Sequence, residues 1–278
     1  MTEYTARRAN SWADSAYSSV GCAAPPVDLH ALARHRRVKR LGLRLMVPRG
    51  VLVPVQEGFE IFLRDLDSRD LDIDAPEPRG LLSARQRFTF AHEIAHTFFY
   101  ENPKAVPPPL HGLKNPRDLE DLCHSAAGRL LVPSNLLKNE VRRELGDSER
   151  IDSGFIRAMV ARFQVSPDVI IERLRAVEIG NCFSRCILLV RSNEGKARVI
   201  TCYFGQGLSP ILPVPKKYEP VIDWFPEFPR LIVQHNGKGR WEVTRNGRNL
   251  VIEKDPLGRI GDFLLQIDDL DRSAQTSK

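Results

Sequence analysis

Two histidines four residues apart, His92 and His96, lie in the apolar stretch RFTFAHEIAHTFFY at 87–100. On a helix, residues i and i+4 share a face, so the two imidazoles point the same way. Glu93 follows His92 directly and lies about 100° round the helix. This H-E-x-x-H arrangement predicts that the two histidines bind one Zn²⁺ ion and that Glu93 handles a proton of the metal-bound water.

A catalytic zinc ion usually takes three protein ligands and leaves one position for water, so a third ligand is required. The residues downstream with suitable atoms are Glu101, His111, Asp118, Glu120, Asp121 and His124. Glu101 lies at the end of the motif helix at the wrong angle, and His111 lies in a proline-rich loop. Glu120 and His124 share one face of the next predicted helix, so either of them, or both, could reach the metal.

The segments around the motif have clear helix signals. Ser83 followed by Gln86 predicts a capping box at the start of the motif helix, and Asn102-Pro103 predicts its end. A second helix is predicted over 117–131 and a third over 134–145. The structural alternative, a buried helix with two stray histidines, is weakened by this cap, by the apolar back of the helix and by the downstream carboxylate.

Two stretches together, RQRFTFAHEIAHTFF and LEDLCHSAAGRLLVP, resemble the ImmA/IrrE family of bacterial zinc metallopeptidases. The resemblance covers roughly 80–178 and implies a zincin-like domain. It also implies that His92, His96 and Glu120 are the metal ligands and that Glu93 is the catalytic carboxylate. Members of this family cut a separate helix-turn-helix repressor, so the resemblance implies a protein substrate of that kind, encoded elsewhere, and a role in transcription regulation and stress response.

One position departs from the family pattern. His124 stands where relatives often have asparagine after the cysteine. Three roles stay open for His124: a fourth ligand that closes the site, a donor to a ligand, or an electrophile for the tetrahedral intermediate.

The rest of the chain predicts an α+β fold. A flexible N-terminus is expected over 1–26, and a mainly helical zincin-like metallopeptidase domain with a small N-terminal β-sheet over 27–150. Within that domain, 27–45 is predicted to form a basic helix, and 50–66 two strands around the turn QEG. A helix-turn-helix-like segment is expected over 151–180, a β-rich C-terminal domain over 181–268, and a tail over 269–278.

The helix-turn-helix-like segment raises the alternative of DNA binding. Its second helix carries Asp168 and Glu172, which repel phosphate, while Ile170 and Ile171 favour burial. We therefore expect this segment to pack beside the peptidase domain or to dock the protein substrate, and we do not expect it to bind DNA. For the β-rich domain, a small-molecule sensor, a substrate-docking surface and a stabilising cap all remain open.

Composition sets the wider limits. The chain has 278 residues, a net charge of +6 and five cysteines. No run of 18 apolar residues is present, the N-terminus lacks the apolar region of a secretory signal, and the cysteines are odd in number; these features predict a cytoplasmic protein without a membrane span. The expected activity is limited proteolysis by an intracellular zinc endopeptidase. The alternative is a non-proteolytic, zinc-containing regulator that binds a repressor or DNA.

Overall fold

The computed structural model describes residues 3–100, 116–146, 151–177, 185–193, 196–204, 214–221, 239–245, 248–256 and 262–269. The described helices are α1 Glu3–Val20, α2 Leu29–His35, α3 Ala84–His96, α4 Pro116–Leu131, α5 Ser134–Leu145, α6 Ser153–Phe163 and α7 Pro167–Val177. The described strands are β1 Val38–Arg44, β2 Gly50–Val55, β3 Gly58–Arg64, β4 Arg69–Leu71, β5 Arg185–Asn193, β6 Lys196–Phe204, β7 Gly239–Arg245, β8 Arg248–Pro256 and β9 Asp262–Asp269. The fold is α+β, as the sequence predicts.

The chain divides into two compact units. The first contains Met1–Asn139 and Met159–Ser166, and the second contains Glu140–Ala158 and Pro167–Lys278. These groupings differ from the expected segments, because α7 is grouped with the C-terminal strands rather than with a separate helical segment. The domain limits given above therefore stay a prediction.

The first unit contains a four-stranded sheet in the order β2-β3-β1-β4. β1 is parallel to β3, whereas the β2–β3 and β1–β4 pairs are antiparallel. The strands β2 and β3 form the predicted hairpin, and Glu57 in its turn has φ of 66°. The buried side chains of the sheet alternate along the central strands, as expected for a sheet with one covered face: Leu41, Leu43, Ile61 and Leu63.

The sequence predicts a flexible N-terminus over 1–26, but residues 3–20 form helix α1. Its buried side chains are mostly small: Ala9, Ala13, Ala16 and Tyr17. Alanines at this spacing let α1 pack closely on α4, where Ala126 and Ala127 are also buried. Arg129 of α4 donates to both carboxylate oxygens of Asp14 at 2.6 Å, which fixes the pairing of the two helices.

The predicted basic helix over 27–45 is also wrong. Helix α2 ends at His35, and Arg37 has φ of 61°, a left-handed conformation that stops a helix. The chain then enters strand β1, whose Leu41 and Leu43 are fully buried. Burial of this alternating pair in the sheet outweighs the weak helical preference of the basic residues before it.

The motif helix α3 begins at the predicted capping box, in which the Ser83 and Gln86 side chains and backbones bond reciprocally. It ends earlier than predicted, at His96, and continues as a 3₁₀ turn over Thr97–Phe99. The Thr97 hydroxyl donates to the Ile94 carbonyl at 2.6 Å, and the Thr97 carbonyl accepts from Arg36 at 2.9 Å. These side-chain bonds replace the helical hydrogen-bond pattern, and Asn102-Pro103 lie outside the described residues.

The second unit contains an antiparallel sheet in the order β6-β5-β9-β8-β7. Both predicted hairpins, β5–β6 and β7–β8, are present. Helix α7 packs on β6, and Glu172 accepts a hydrogen bond from Thr201 at 2.9 Å. The described cysteines are free thiols, of which Cys186 and Cys202 belong to the core of this sheet. Among the described helices, none has the length and apolar content needed to span a bilayer.

Candidate metal centre

Two helices of the first unit bring the candidate ligands together. Helix α3 packs against α4 through buried small side chains, with Ala91 and Ala95 on α3 and Ala126 and Ala127 on α4. Small residues at such a contact allow the helix axes to approach closely. The side chains of His92 and His96 on α3 can therefore meet a side chain one turn into α4.

That side chain is Glu120. The Nε2 atoms of His92 and His96 lie 3.1 Å apart, and His92 Nε2 lies 3.1 Å from Glu120 Oε2. His96 Nε2 lies 3.5 Å from Glu120 Oε1. Among the described residues, His92, His96 and Glu120 form a cluster whose donor atoms all lie within 4.8 Å of one another.

These separations fit a tetrahedral metal ion. Zinc–nitrogen and zinc–oxygen bonds of about 2.0–2.1 Å place neighbouring ligand atoms about 3.3 Å apart. The two imidazoles and the carboxylate are borderline and hard donors, the set that zinc accepts at catalytic sites. Glu120 is 54% exposed, so the cluster opens toward solvent and keeps room for a further group.

The protonation of the histidines also suits metal binding. Burial, followed by the charges of His96 and His124, lowers the pKa of His92 to about 3. Burial lowers the pKa of His96 as well, against the opposing pull of Glu120. His92 is therefore neutral near pH 7, and its contact with Glu120 is not an ion pair. The donor atoms of His92, His96 and Glu120 face one another, and a bound cation would offset the repulsion between their electron pairs.

Packing holds the His92 ring in place. Its ring centroid lies 4.7 Å from that of His96 and 4.5 Å from that of His124. His92 Nδ1 is buried and has no hydrogen-bond partner within the described ranges. In many zinc sites this nitrogen donates to a carboxylate or carbonyl, so the ring orientation here depends on its aromatic neighbours instead.

Glu93 lies beside the cluster and is buried. Burial, followed by the charge of Glu120, raises the pKa of Glu93 to about 7. The wall over Glu93 is Gly50, at the start of β2. A Cβ atom on Gly50 would lie 2.6 Å from Glu93 Oε1, so the carboxylate occupies the space a side chain would take. A buried carboxylate with a pKa near neutrality can both accept and return a proton.

His124 lies on the rim of the cluster rather than in it. Its Nδ1 lies 2.9 Å from the backbone oxygen of Glu120, one turn earlier in α4. Because a carbonyl only accepts, Nδ1 carries a proton and donates. The ring packs against Phe88 and His92, with centroid distances of 5.4 and 4.5 Å. Nε2 is then the atom that would act on a ligand or substrate.

The remaining candidates do not join the cluster. Asp118 and Asp121 are described but lie outside it, whereas Glu101 and His111 fall outside the described residues. Cys123 of α4 is buried. Burial, followed by the charges of Glu120 and Glu93, raises the pKa of its thiol. It is a core thiol rather than a ligand.

Two supporting contacts were not predicted. Arg87 of α3 is buried, pairs with Glu77 and donates to the Val27 carbonyl at 2.9 Å. This pair ties two loops to the motif helix. The second contact, between Gly50 and Glu93, has only a weak signal in the sequence: a glycine within a predicted strand, which often marks a close approach.

Comparison with known families places the segment that carries this cluster among peptidases. Residues 79–175 match the family described as Peptidase_M78, IrrE N-terminal-like domain. The match begins just before α3 and ends within α7, and it confirms the predicted ImmA/IrrE resemblance for this segment of the chain. The first sheet and strands β5–β9 lie outside the match. No curated protein matches the chain.

Proposed function

We propose that this protein is a zinc-dependent endopeptidase with a zincin-like arrangement of its first unit. The observation that carries the proposal is the convergence of His92, His96 and Glu120 beside the buried carboxylate of Glu93. A purely structural metal site has no need of a second, uncoordinated carboxylate with a raised pKa. Membership of a peptidase family points to a peptide bond as the target.

His92, His96 and Glu120 would hold the ion. Zn²⁺ supplies Lewis acidity, which makes water a stronger acid and polarises a carbonyl oxygen. The protein's own contribution is to fix the three donors on two packed helices, so that little rearrangement is needed on binding.

Glu93 would carry the proton. Its carboxylate takes a proton from the attacking water as the carbon–oxygen bond forms at the scissile carbonyl. The same oxygen then gives this proton to the amine as the carbon–nitrogen bond breaks. The raised pKa suits both steps, and the Gly50 wall keeps the carboxylate within a narrow range of positions.

His124 would stabilise the oxyanion that develops on the scissile carbonyl. Its Nδ1 proton is used by the Glu120 carbonyl, so Nε2 can donate only when the ring is an imidazolium. Donation to the Glu120 side chain is not observed, which favours the electrophile over the role of a donor to the ligand atoms.

The proposed substrate is a transcriptional repressor encoded separately. The helix-turn-helix-like segment of this chain does not offer the chemistry of a DNA reader. Val169, Ile170 and Ile171 of α7 are buried, and Glu172 bonds to Thr201. A protein without a DNA-reading helix of its own can still act on transcription by cutting a separate DNA-binding protein.

The deciding experiment is Glu93→Gln in zinc-loaded protein, assayed on a proteome-derived peptide library with cleavage read by mass spectrometry. The variant should keep its zinc and lose cleavage by roughly 10²- to 10⁴-fold, the contribution of a general base. Glu57→Gln, an exposed change in the β2–β3 turn, is the matched control. Equal cleavage by wild type and Glu93→Gln would exclude this mechanism, and the absence of cleavage in both would favour a zinc-containing regulator that does not cut.

A further inference from the structure

Three exposed aliphatic side chains lie together at one end of the first sheet. Leu45, Val47 and Leu66 are 72%, 89% and 86% exposed. These are the three most exposed large hydrophobic residues in the described part of the chain, and they belong to two neighbouring loops. We call this trio the apolar rim.

Backbone contacts hold the two loops of the apolar rim side by side. Arg44 and Arg64 are partners in the parallel β1–β3 register, and the Asp65 amide donates to the Arg44 carbonyl at 2.9 Å. The Arg64 amide donates to the Arg49 carbonyl at 2.9 Å, and its guanidinium reaches the Val47 carbonyl at 3.4 Å. The backbone of both loops is therefore anchored at the same end of the sheet.

The apolar rim is continuous with the metal centre. Only two residues separate Val47 from Gly50, the residue that lies against Glu93, and these three steps along the chain limit the distance to about 10 Å. On the other loop, Asp65 precedes Leu66 and accepts a hydrogen bond from Gln86, in the first turn of α3, at 2.7 Å. Both loops of the rim are thus attached to elements that form the site.

The position of the apolar rim next to the metal centre indicates what binds it: a segment of the polypeptide substrate. Strand β2 is at the edge of its sheet, so a segment in extended conformation that reaches Glu93 would run beside it. An extended segment advances about 3.3–3.6 Å per residue, so the residue three positions from the scissile bond would lie at the rim. Grouped aliphatic side chains bind another aliphatic side chain by excluding water.

We propose that the apolar rim selects polypeptide substrates with a large aliphatic residue about three positions from the scissile bond. The proposal rests on the proposed peptidase function and adds a specificity determinant to it. The rim touches neither the metal ligands nor Glu93, so its loss should change substrate choice and KM rather than metal content.

The test is cleavage-site profiling of the zinc-loaded protein on a peptide library with all residues varied. The triple change Leu45→Ser, Val47→Ser and Leu66→Ser is compared with wild type, and the control is Val214→Ser, an exposed valine of the second unit. We expect the preference for Leu, Ile or Val at one position to fall on the order of tenfold in the triple variant, with kcat on non-aliphatic peptides unchanged. Val47→Ser alone, at the most exposed position, serves if the triple variant does not fold.

Each other outcome overturns the proposal. Cleavage with no aliphatic preference, or with a preference that the triple variant retains, would show that the rim does not read the substrate. If wild type cuts nothing, the proposed peptidase function fails. Binding of the same peptide library to zinc-loaded Glu93→Gln protein then tests the apolar rim separately. Equal peptide binding with and without the rim changes would reject the rim proposal. Self-association of wild type in sedimentation, abolished by the rim changes, would assign the surface to a second copy of this chain instead.

Discussion

Gly50 and Glu93 share one space. A Cβ atom at position 50 would lie 2.6 Å from Glu93 Oε1 and 3.0 Å from Glu93 Cγ, and 2.5 Å from the Thr89 methyl group. Real Cβ atoms do not approach that closely, so any side chain at position 50 must displace the carboxylate. The edge strand of the first sheet thereby sets the position of the proposed proton carrier.

Gly50→Ala should therefore lower kcat by more than tenfold, because displacement of a proton carrier by about 1 Å costs on the order of a hundredfold. KM and zinc content should change little, since none of the three ligands contacts Gly50. Steady-state kinetics and metal analysis measure both. The matched control is Gly154→Ala in α6, where the nearest atom outside the local backbone is 3.2 Å from the added Cβ. Wild-type kcat in Gly50→Ala would show that Glu93 does not depend on this wall.

Two neighbouring acidic residues of α4, Glu120 and Asp121, provide a test of the proposed metal ligands. Glu120→Ala should lower zinc affinity on the order of a hundredfold or more, because it removes one of the three donors. Asp121→Ala, at the next position and outside the cluster, should keep wild-type affinity. Zinc content by mass spectrometry after purification without added metal distinguishes the two. Loss of zinc in both variants would point to a general effect on α4 rather than to a ligand.

The sequence defined the centre of this site better than its surroundings. His92, His96 and Glu93 could be assigned from one helix, because their relation depends only on the helical period. Glu120 required a second helix, and the boundaries of α4 were predictable from its apolar pattern. In contrast, Gly50 contacts a residue far along the chain, and the only local signal of this contact is a glycine within a predicted strand.

The errors at the N-terminus have a related cause. Helix α1 buries Ala9, Ala13 and Ala16, which give a weak hydrophobic signal, and its stability depends on packing against α4. Strand β1 follows a basic stretch that reads as a helix surface until Arg37 adopts a left-handed conformation. Both features depend on tertiary contacts that override local preference.

His124 offers a test of transition-state stabilisation. Its Nδ1 donates to the Glu120 carbonyl, so Nε2 can donate to an oxyanion only from the imidazolium. His124→Ala should keep zinc and lower kcat by roughly 10²- to 10³-fold, the cost of losing one oxyanion donor. Zinc loss in His124→Ala would instead make it a fourth ligand.

In the metal-free protein, Glu93 contributes stability that is lost as pH rises. Burial raises its pKa from 4.5 to about 7, so the folded state retains a proton that the unfolded state has released. The stabilising contribution is complete below pH 4.5 and is lost as pH rises through about 7, a change of about 3 kcal/mol at 1.36 kcal/mol per pKa unit. His92 acts in the opposite sense: its contribution is complete above pH 6.5 and is lost as pH falls toward about 3.

Comparison of Glu93→Gln with wild type isolates the first effect, because the His92 contribution is present in both. In urea denaturation with a chelator, the free energy of unfolding of Glu93→Gln minus that of wild type should rise by about 3 kcal/mol between pH 4.5 and pH 8. Glu57→Gln, at the exposed turn, is the matched control for the loss of a carboxylate outside the site. A flat difference for Glu93→Gln would mean that the Glu93 carboxylate is solvated in the metal-free protein, and that the Gly50 wall does not hold it in the interior.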